Sequence, residues 1–334
     1  MNVLIIGAGR MGLRHAIGVL KVKNLTSLTV ADINANALEE AKRQLEKSSG
    51  DIKISYCTIE NIKGQFEVVI VATTASNRIK SCELALSVLP KYILLEKPLG
   101  QSYEEVKDME DFMSGKNVQV FVNLNMRMYP FLKQLKHDLN NFPQFKGNKT
   151  ISYNGGALGI GANGIHYLDL LFFLFDADHA ELSSGEIEPS LIPSGRGTSF
   201  GDFGGWACIK FFNNENYLGK SIINLSSEST VFGGWDITGP HGRIRINELE
   251  SERVDILRNP DSQMPFNRYA AEYFLPVATK IETPSLSDLT CEWLEGLQKG
   301  EFSLPEIMDS IKVHKLMFDW LSQSKMYQSP FPIT

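Results

Sequence analysis

The chain has 334 residues, 43% of them hydrophobic and 22% charged, with a formal net charge of -6. That length fits about two globular domains. The acidic balance argues against a broad phosphate-binding face, so no nucleic-acid partner is expected. No apolar run approaches the roughly 20 residues of a membrane-spanning helix, the longest being Leu170 to Phe175, and no membrane association is expected. Met1-Asn2 leads straight into strand-like residues without a basic or cleavage segment, so a signal peptide is not expected. Cys57, Cys82, Cys208 and Cys291 are scattered without metal or redox spacing, which fits a reducing cytoplasm, and no His, Cys and carboxylate cluster has metal-site spacing.

Asn2 to Ile6 reads as a short apolar strand, followed at once by Gly7-Ala8-Gly9-Arg10-Met11-Gly12. Leu13, Ala16, Ile17 and Leu20 then recur at helical spacing, so the glycines sit between a strand and a helix start. A second strand, Ser27 to Ala31, ends in Asp32, 20 residues past Gly12. This context is that of a dinucleotide site. Gly7 permits the tight turn, Gly9 lets a pyrophosphate approach the backbone, Gly12 allows close helix packing, and the helix N-terminus favours phosphate charge. The candidate cofactor residues here are Gly7, Gly9, Arg10, Met11, Gly12, Asp32, Ile33 and Asn34. A carboxylate at Asp32 accepts from a free 2'-hydroxyl and repels a 2'-phosphate, which favours NAD over NADP. The plainer alternatives are an ordinary strand-to-helix turn, and Asp32 as the cap of a helix starting near Asn36, a role Asn34 also fits.

The unit repeats with a helix over Ala35 to Lys47, a strand over Ile52 to Tyr56, and the apolar run Val68 to Ala72 ending in Thr73 and Thr74. Thr74 and Asn77 face the nicotinamide half of a cofactor or simply cap the next helix. That helix stops at Val88 before Pro90. Tyr92 to Leu95 then forms a buried strand that ends in Glu96-Lys97-Pro98. Open α/β sheets bind ligands at strand carboxyl ends, and Pro98 holds Lys97 extended, on a stiff base. The alternative is a loop lysine that happens to precede proline. Ser102 to Glu105 makes a capping box, and Val118 to Val122 supplies a sixth strand, completing a doubly wound parallel sheet.

After a helix over Phe131 to Asn141, strands dominate: Lys149 to Tyr153, Trp206 to Phe212, Tyr217 to Leu225, Trp235 to Thr238, Arg243 to Ile246 and Arg253 to Leu257. The turn Asn213 to Asn216 predicts a hairpin and antiparallel pairing. The glycine-rich stretch Ser194 to Gly205 reads as a mobile loop in preference to a lid. Closing helices are expected over Phe266 to Ile281, Leu286 to Lys299 and Pro305 to Ser322, returning to brace the first domain. His166 falls on a helix over Gly161 to Phe175, as a hydrogen-bonded core residue or a catalytic base. Asn163 and Asp169, three residues to either side, share its face in a continuous helix.

These motifs in this order resemble the Gfo/Idh/MocA dehydrogenases. The resemblance rests on Gly7 to Gly12, Ala72-Thr73-Thr74 with Asn77, Glu96-Lys97-Pro98-Leu99, Asn125 to Pro130, and Gly164-Ile165-His166-Tyr167-Leu168-Asp169, and covers essentially the whole chain. It implies an N-terminal Rossmann domain over residues 1–124. A C-terminal α/β domain over 125–334 would carry a large, mostly antiparallel open sheet that mediates homodimers or homotetramers. It further implies hydride transfer between NAD or NADP and a hydroxyl or carbonyl carbon of a sugar, polyol or sugar nucleotide. Lys97 and His166 would handle the proton beside the nicotinamide, with Asp169 orienting the imidazole. Thr73, Thr74, Asn77, Glu96, Lys97 and Asn125 would complete the cofactor site. Lys97, Arg127, Tyr153, Asn163 and His166 would meet substrate, although Arg127 and Tyr129 read equally as a salt bridge and a packed ring. One departure is Ala162, where many members carry an Asp. Two rival functions stand beside dehydrogenation: an NAD-retaining lyase or hydrolase working through transient oxidation, as the resemblance allows, and a non-catalytic binder of NAD or a sugar, to which Ala162 points.

Overall fold

The computed structural model describes residues 1–46, 50, 52–156, 158–193, 200–226, 229, 231, 233–259, 261, 274–325 and 328–334. It divides into two units, one of Met1–Met128 with Pro284–Ile311 and Thr334, the other of Tyr129–Thr283 with Lys312–Ile333.

The first unit alternates strands and helices: β1 (Asn2–Ile6), α1 (Arg10–Val19), β2 (Ser27–Asp32), α2 (Ala35–Leu45), β3 (Lys53–Thr58), β4 (Val68–Val71), α3 (Arg78–Ser87), β5 (Tyr92–Leu95), α4 (Tyr103–Met113) and β6 (Gln119–Val122). All six strands are parallel, in the order β3-β2-β1-β4-β5-β6. β4 and β5 are buried on both faces, which explains why they are continuous apolar runs without alternation. The order reverses between β1 and β4, so the carboxyl ends of those two strands flank the crevice where such sheets take ligands.

The second unit begins with α5 (Pro130–Asn141), β7 (Lys149–Gly156), a π-turn over Ile160–Gly164, and α6 (Ile165–Phe175). Seven strands follow: β8 (His179–Pro193), β9 (Gly201–Asn213), β10 (Asn216–Ser226), β11 (Gly234–Thr238), β12 (Gly242–Asn247), β13 (Glu252–Leu257) and β14 (Val277–Lys280). With β7 they form an eight-stranded sheet ordered β14-β13-β12-β11-β7-β10-β9-β8, antiparallel except between β7 and β10. α6 covers one face, where Phe172 and Phe175 pack on Phe211. The other face leaves Trp206, Lys210, Lys220 and Ile222 exposed.

Two helices close the chain, α7 (Leu286–Lys299) and α8 (Ile307–Leu321). α7 belongs to the first unit and lies against α1. The approach is so close that a side chain at Gly18 would sit 2.4 Å from the Ser287 carbonyl oxygen.

The sequence expectations require three corrections. Of the helix expected over Phe266 to Ile281, residues 266–273 lie outside the described residues, and Val277–Lys280 is strand β14. Of the expected glycine-rich loop, residues 194–199 lie outside the described residues, and Gly201 to Gly205 belongs to β9. The edge strand β8 was not anticipated, because register shifts at Leu182/Ser184 and Ile187/Leu191 break the two-residue alternation that marks a strand.

Candidate functional site

In the first unit, the candidate side chains gather at the carboxyl ends of β1, β2, β4, β5 and β6. Gly7 leaves β1 with φ of 105°, a left-handed backbone that glycine adopts without strain, and its N–H donates to the Ala31 carbonyl at 2.8 Å. A side chain at Gly12 would stand 1.8 Å from the Gly7 carbonyl oxygen, whereas one at Gly9 would meet nothing within 4 Å. The turn is therefore closed at Gly12 and open at Gly9. No side chain caps the N-terminus of α1, which starts at Arg10 with Met11 next to it, so its first N–H groups can receive a phosphate.

Asp32 ends β2. Its Oδ2 accepts from the Ala8 N–H at 2.6 Å and its Oδ1 from the Asn34 N–H at 2.8 Å. Asn34, not Asp32, caps α2, its side chain accepting from the Asn36 N–H at 2.9 Å. That assignment leaves the Asp32 carboxylate at the rim of the glycine turn, and Ile33 beside it is exposed.

β4 delivers Thr73 and Thr74 to the same edge, followed by a 3₁₀ turn over Ala75–Asn77. Thr73 hydrogen-bonds Ser81 at 3.1 Å, and Thr74 bonds Ser76 at 3.3 Å. β5 delivers Glu96 and Lys97, both buried, with a cis bond between Lys97 and Pro98. Arg78, also buried, donates to the Pro98 carbonyl at 3.1 Å and to the Val71 carbonyl at 3.4 Å, tying the ends of β4 and β5 together. After β6, Asn125 and Arg127 lie half-buried on a 3₁₀ turn over Asn125–Met128.

Beneath this edge the Glu96 carboxylate accepts from His15 Nε2 at 2.8 Å and from the Asn123 amide at 2.7 Å. Burial alone would raise its pKa. The hydrogen bond and charge of His15, then the charge of Lys97 and the Asn123 hydrogen bond, bring it down to about 2. Glu96 is thus a buried carboxylate that stays ionised.

In the second unit His166 is half-buried on the first turn of α6. Asp169 is fully buried on the same helix, while Asn163 is exposed in the π-turn. The shared face expected from spacing presupposes one continuous α-helix, which the π-turn interrupts between Asn163 and His166. The start of this segment is held by Asp202 of β9. Its carboxylate accepts from the Gly161 N–H at 2.9 Å and the Ala162 N–H at 2.6 Å.

Tyr153 is buried in a ring cluster, stacked on Tyr167 at 4.1 Å between centroids and tilted against Trp235 at 4.6 Å. Its hydroxyl donates to Glu248 at 3.1 Å, and Trp235 Nε1 donates to the same carboxylate at 3.0 Å. Burial pushes the Glu248 carboxyl up, against the opposing hydrogen bonds of Trp235, Tyr153 and Tyr167. It also pushes up the phenols of Tyr129, Tyr153 and Tyr167. Among the described residues, no group of His, Cys, Asp and Glu is arranged to hold a metal ion.

Sequence reasoning missed His15, Arg78, Asn123, Asp202, Glu248 and Thr290. His15 alone left a local signal, standing between Gly12 and Val19 on the apolar stripe of α1 where a polar residue needs partners.

Residues 1–124 match the family model Gfo/Idh/MocA, described as an oxidoreductase family with an NAD-binding Rossmann fold. The match shows the family's NAD-binding fold for residues 1–124. Residues 1–124 are accordingly an NAD-binding domain, and the open turn at Gly9, the uncapped start of α1 and the Asp32 carboxylate fit that cofactor. The chain is 27% identical over 196 residues to glucose-6-phosphate 3-dehydrogenase of Bacillus subtilis (strain 168), covering 52% of this chain and 53% of that one. It is 24% identical over 143 residues to myo-inositol 2-dehydrogenase of Thermotoga maritima, covering 42% and 41%. The chain thus spans about half the length of the curated relatives it matches. In three dimensions it resembles an oxidoreductase from Agrobacterium radiobacter, solved in complex with NAD+, L-tartaric acid and magnesium. The TM-score is 0.72 at 17% identity, over 97% of this chain and 96% of that one. At that identity the likeness shows the fold.

Proposed function

We propose that this protein is a Gfo/Idh/MocA-type, NAD-dependent dehydrogenase acting on a secondary hydroxyl, or the corresponding carbonyl, of a sugar, polyol or sugar nucleotide. The observation that carries this reading is that one edge of one parallel sheet holds the open glycine turn, Asp32, Thr73, Thr74 and Lys97. Named relatives that act on glucose 6-phosphate and myo-inositol support the substrate class.

NAD, when bound, supplies the hydride acceptor. The carbinol carbon gives up its C–H electron pair with that hydride, and its hydroxyl proton must leave in the same reaction. In the proposed mechanism His166 takes the proton, while the Lys97 ammonium donates a hydrogen bond to the same oxygen and stabilises developing alkoxide charge. In the reverse direction His166 returns the proton to the carbonyl oxygen. Asp169 orients the imidazole, and Arg127 and Asn163 complete the substrate contacts; the buried Tyr153, its hydroxyl committed to Glu248, supports the site from below. The cofactor contacts are assigned to Gly7, Gly9, Arg10, Met11, Gly12, Asp32, Ile33, Asn34, Thr73, Thr74, Asn77, Glu96, Lys97 and Asn125. The exposed sheet face around Trp206 and Ile222 is proposed to pair copies of the chain, which light scattering of the purified protein tests.

The test is a panel of myo-inositol, glucose 6-phosphate and uridine-diphosphate sugars with NAD and with NADP, followed at the reduced-cofactor absorbance. NADH formation is expected, with loss of about 10² to 10⁴ in turnover for Lys97→Ala or His166→Ala and little change in NAD affinity. Retained turnover in both variants would remove these residues from the mechanism. Substrate consumption without net NADH would instead favour a transient-oxidation enzyme.

A further inference from the structure

His15 is fully buried, and both of its ring nitrogens face oxygen. Nδ1 lies 2.8 Å from Thr290 Oγ1, and Nε2 lies 2.8 Å from Glu96 Oε1. The Thr290 hydroxyl has one proton, and it is committed to the Leu286 carbonyl at 2.9 Å. Toward His15, Thr290 is therefore an acceptor. Glu96 Oε1 is an acceptor as well: it already receives the Asn123 amide at 2.7 Å, as a carboxylate oxygen does. Two acceptors require two donors. Exchanging the ring's nitrogens by a flip leaves this count unchanged.

We propose that His15 is a doubly protonated imidazolium which, braced by Thr290 from α7, locks the Glu96 carboxylate and so positions the strand end that carries Lys97. Glu96 Oε2 has no hydrogen-bond partner among the described residues, so the carboxylate's orientation is set wholly by the two donors on Oε1. Glu96 and Lys97 are consecutive on the last turn of chain out of β5, and rotation of one peptide displaces the next. The charges alternate along this line: imidazolium, carboxylate, ammonium. The carboxylate between the two cations offsets their mutual repulsion. This extends the reading of Lys97 given above and adds two positioning residues, His15 and Thr290, that do not meet substrate.

Nitrogen-15 spectra of the full chain labelled at histidine test the protonation state directly. At neutral pH the His15 ring is expected to show both nitrogens as N–H donors, the signal being assigned by its absence in His15→Gln. If that variant does not fold, Thr290→Val assigns it, by shifting the same resonance. A lone-pair nitrogen on His15 in the native protein overturns the proposal. The positioning role is read from oxidation of myo-inositol or glucose 6-phosphate. His15→Gln and Thr290→Val should lower kcat about 10- to 100-fold, with the Kd for NAD within about twofold. Unchanged kcat in both folded variants overturns the positioning role. If the native protein turns over neither compound, that result counts against the dehydrogenase reading, and the nitrogen spectra still decide the charge on His15.

Discussion

The Ala8 N–H donates to the Asp32 carboxylate at 2.6 Å, joining the glycine turn after β1 to the acid that ends β2. The carboxylate expected to meet an adenosine ribose is thus held by the backbone of the loop expected to meet the pyrophosphate.

Asp32→Ala should therefore weaken NAD binding and erase discrimination against NADP together. Losing a hydrogen bond to a charged group costs about 1.5 to 3 kcal/mol, roughly ten- to a hundredfold in Kd. NADP affinity should rise relative to NAD, because a 2'-phosphate no longer meets a carboxylate. Fluorescence titration with both cofactors measures the ratio, and an unchanged ratio would sink the assignment.

Two glycines in one turn should fail in opposite ways. A methyl group at Gly12 meets the Gly7 carbonyl oxygen at 1.8 Å, so Gly12→Ala should destabilise the unit by about 1 to 3 kcal/mol through overpacking, more if the turn cannot shift. At Gly9 the same methyl meets nothing within 4 Å. Gly9→Ala should unfold in urea like the native protein yet bind NAD more weakly, because the methyl stands where the pyrophosphate approaches. Equal stability losses in the two variants would contradict this division.

The buried Glu96 gives stability an acid limb. Its folded pKa is depressed from 4.5 to about 2, so the unfolded chain binds its proton first. The stabilisation is complete above pH 4.5 and is lost as the pH falls from there through about 2. Glu96→Gln should remove this part of the pH dependence while lowering stability at neutral pH, since His15 then faces an uncharged amide. Urea unfolding at a series of pH values makes the comparison, and an unaltered acid slope in the variant would refute it.

The first unit was legible in sequence because each part leaves a short-range mark. Val68 to Val71 and Tyr92 to Leu95 are continuous apolar runs because both faces of the sheet are covered, and Gly7 and Gly12 mark places where a side chain has no room. The partners of the chemical groups left no such mark. Thr290 reaches His15 across 275 residues, and Asp202 reaches Gly161 across 41. A periodic pattern shows that a helix needs burial but not what meets its polar end. In the second unit, bulges in β8 and the π-turn before α6 break the two periods on which such reading relies.

Tyr153 shows the same limit, since its hydroxyl is spent on Glu248 at 3.1 Å. Tyr153→Phe keeps the stacked ring and removes one donor from a largely buried carboxylate. Stability should fall by about 1 to 3 kcal/mol, and the Glu248 carboxyl should move further up, because one of the bonds holding it down is gone. Urea midpoints at neutral pH, where Glu248 is most fully charged, should show the larger loss, and midpoints near pH 4 the smaller. The reverse order would show that the hydroxyl does not serve the carboxylate.

Asp202 offers the sharpest separation of stability from turnover in the second unit. Its Oδ2 accepts the Ala162 N–H and its Oδ1 the N–H groups of Gly161 and of Phe203, the Gly161 and Ala162 bonds lying at the start of the segment that leads into α6 and His166. Asn keeps one acceptor and turns its amide hydrogens toward the other N–H, so Asp202→Asn should cost about 1 to 3 kcal/mol. It also removes a negative charge from a helix start, where such charge is favourable. His166 lies four residues beyond Ala162, on the first turn of α6, so a loosened start should reach the imidazole before the rest of α6. NAD affinity belongs to the first unit and should hold, while kcat for any substrate of the panel falls. Thermal unfolding, NAD titration and turnover of the same preparation separate the three, and a variant that loses NAD affinity in step with kcat would show that Asp202 supports the fold alone.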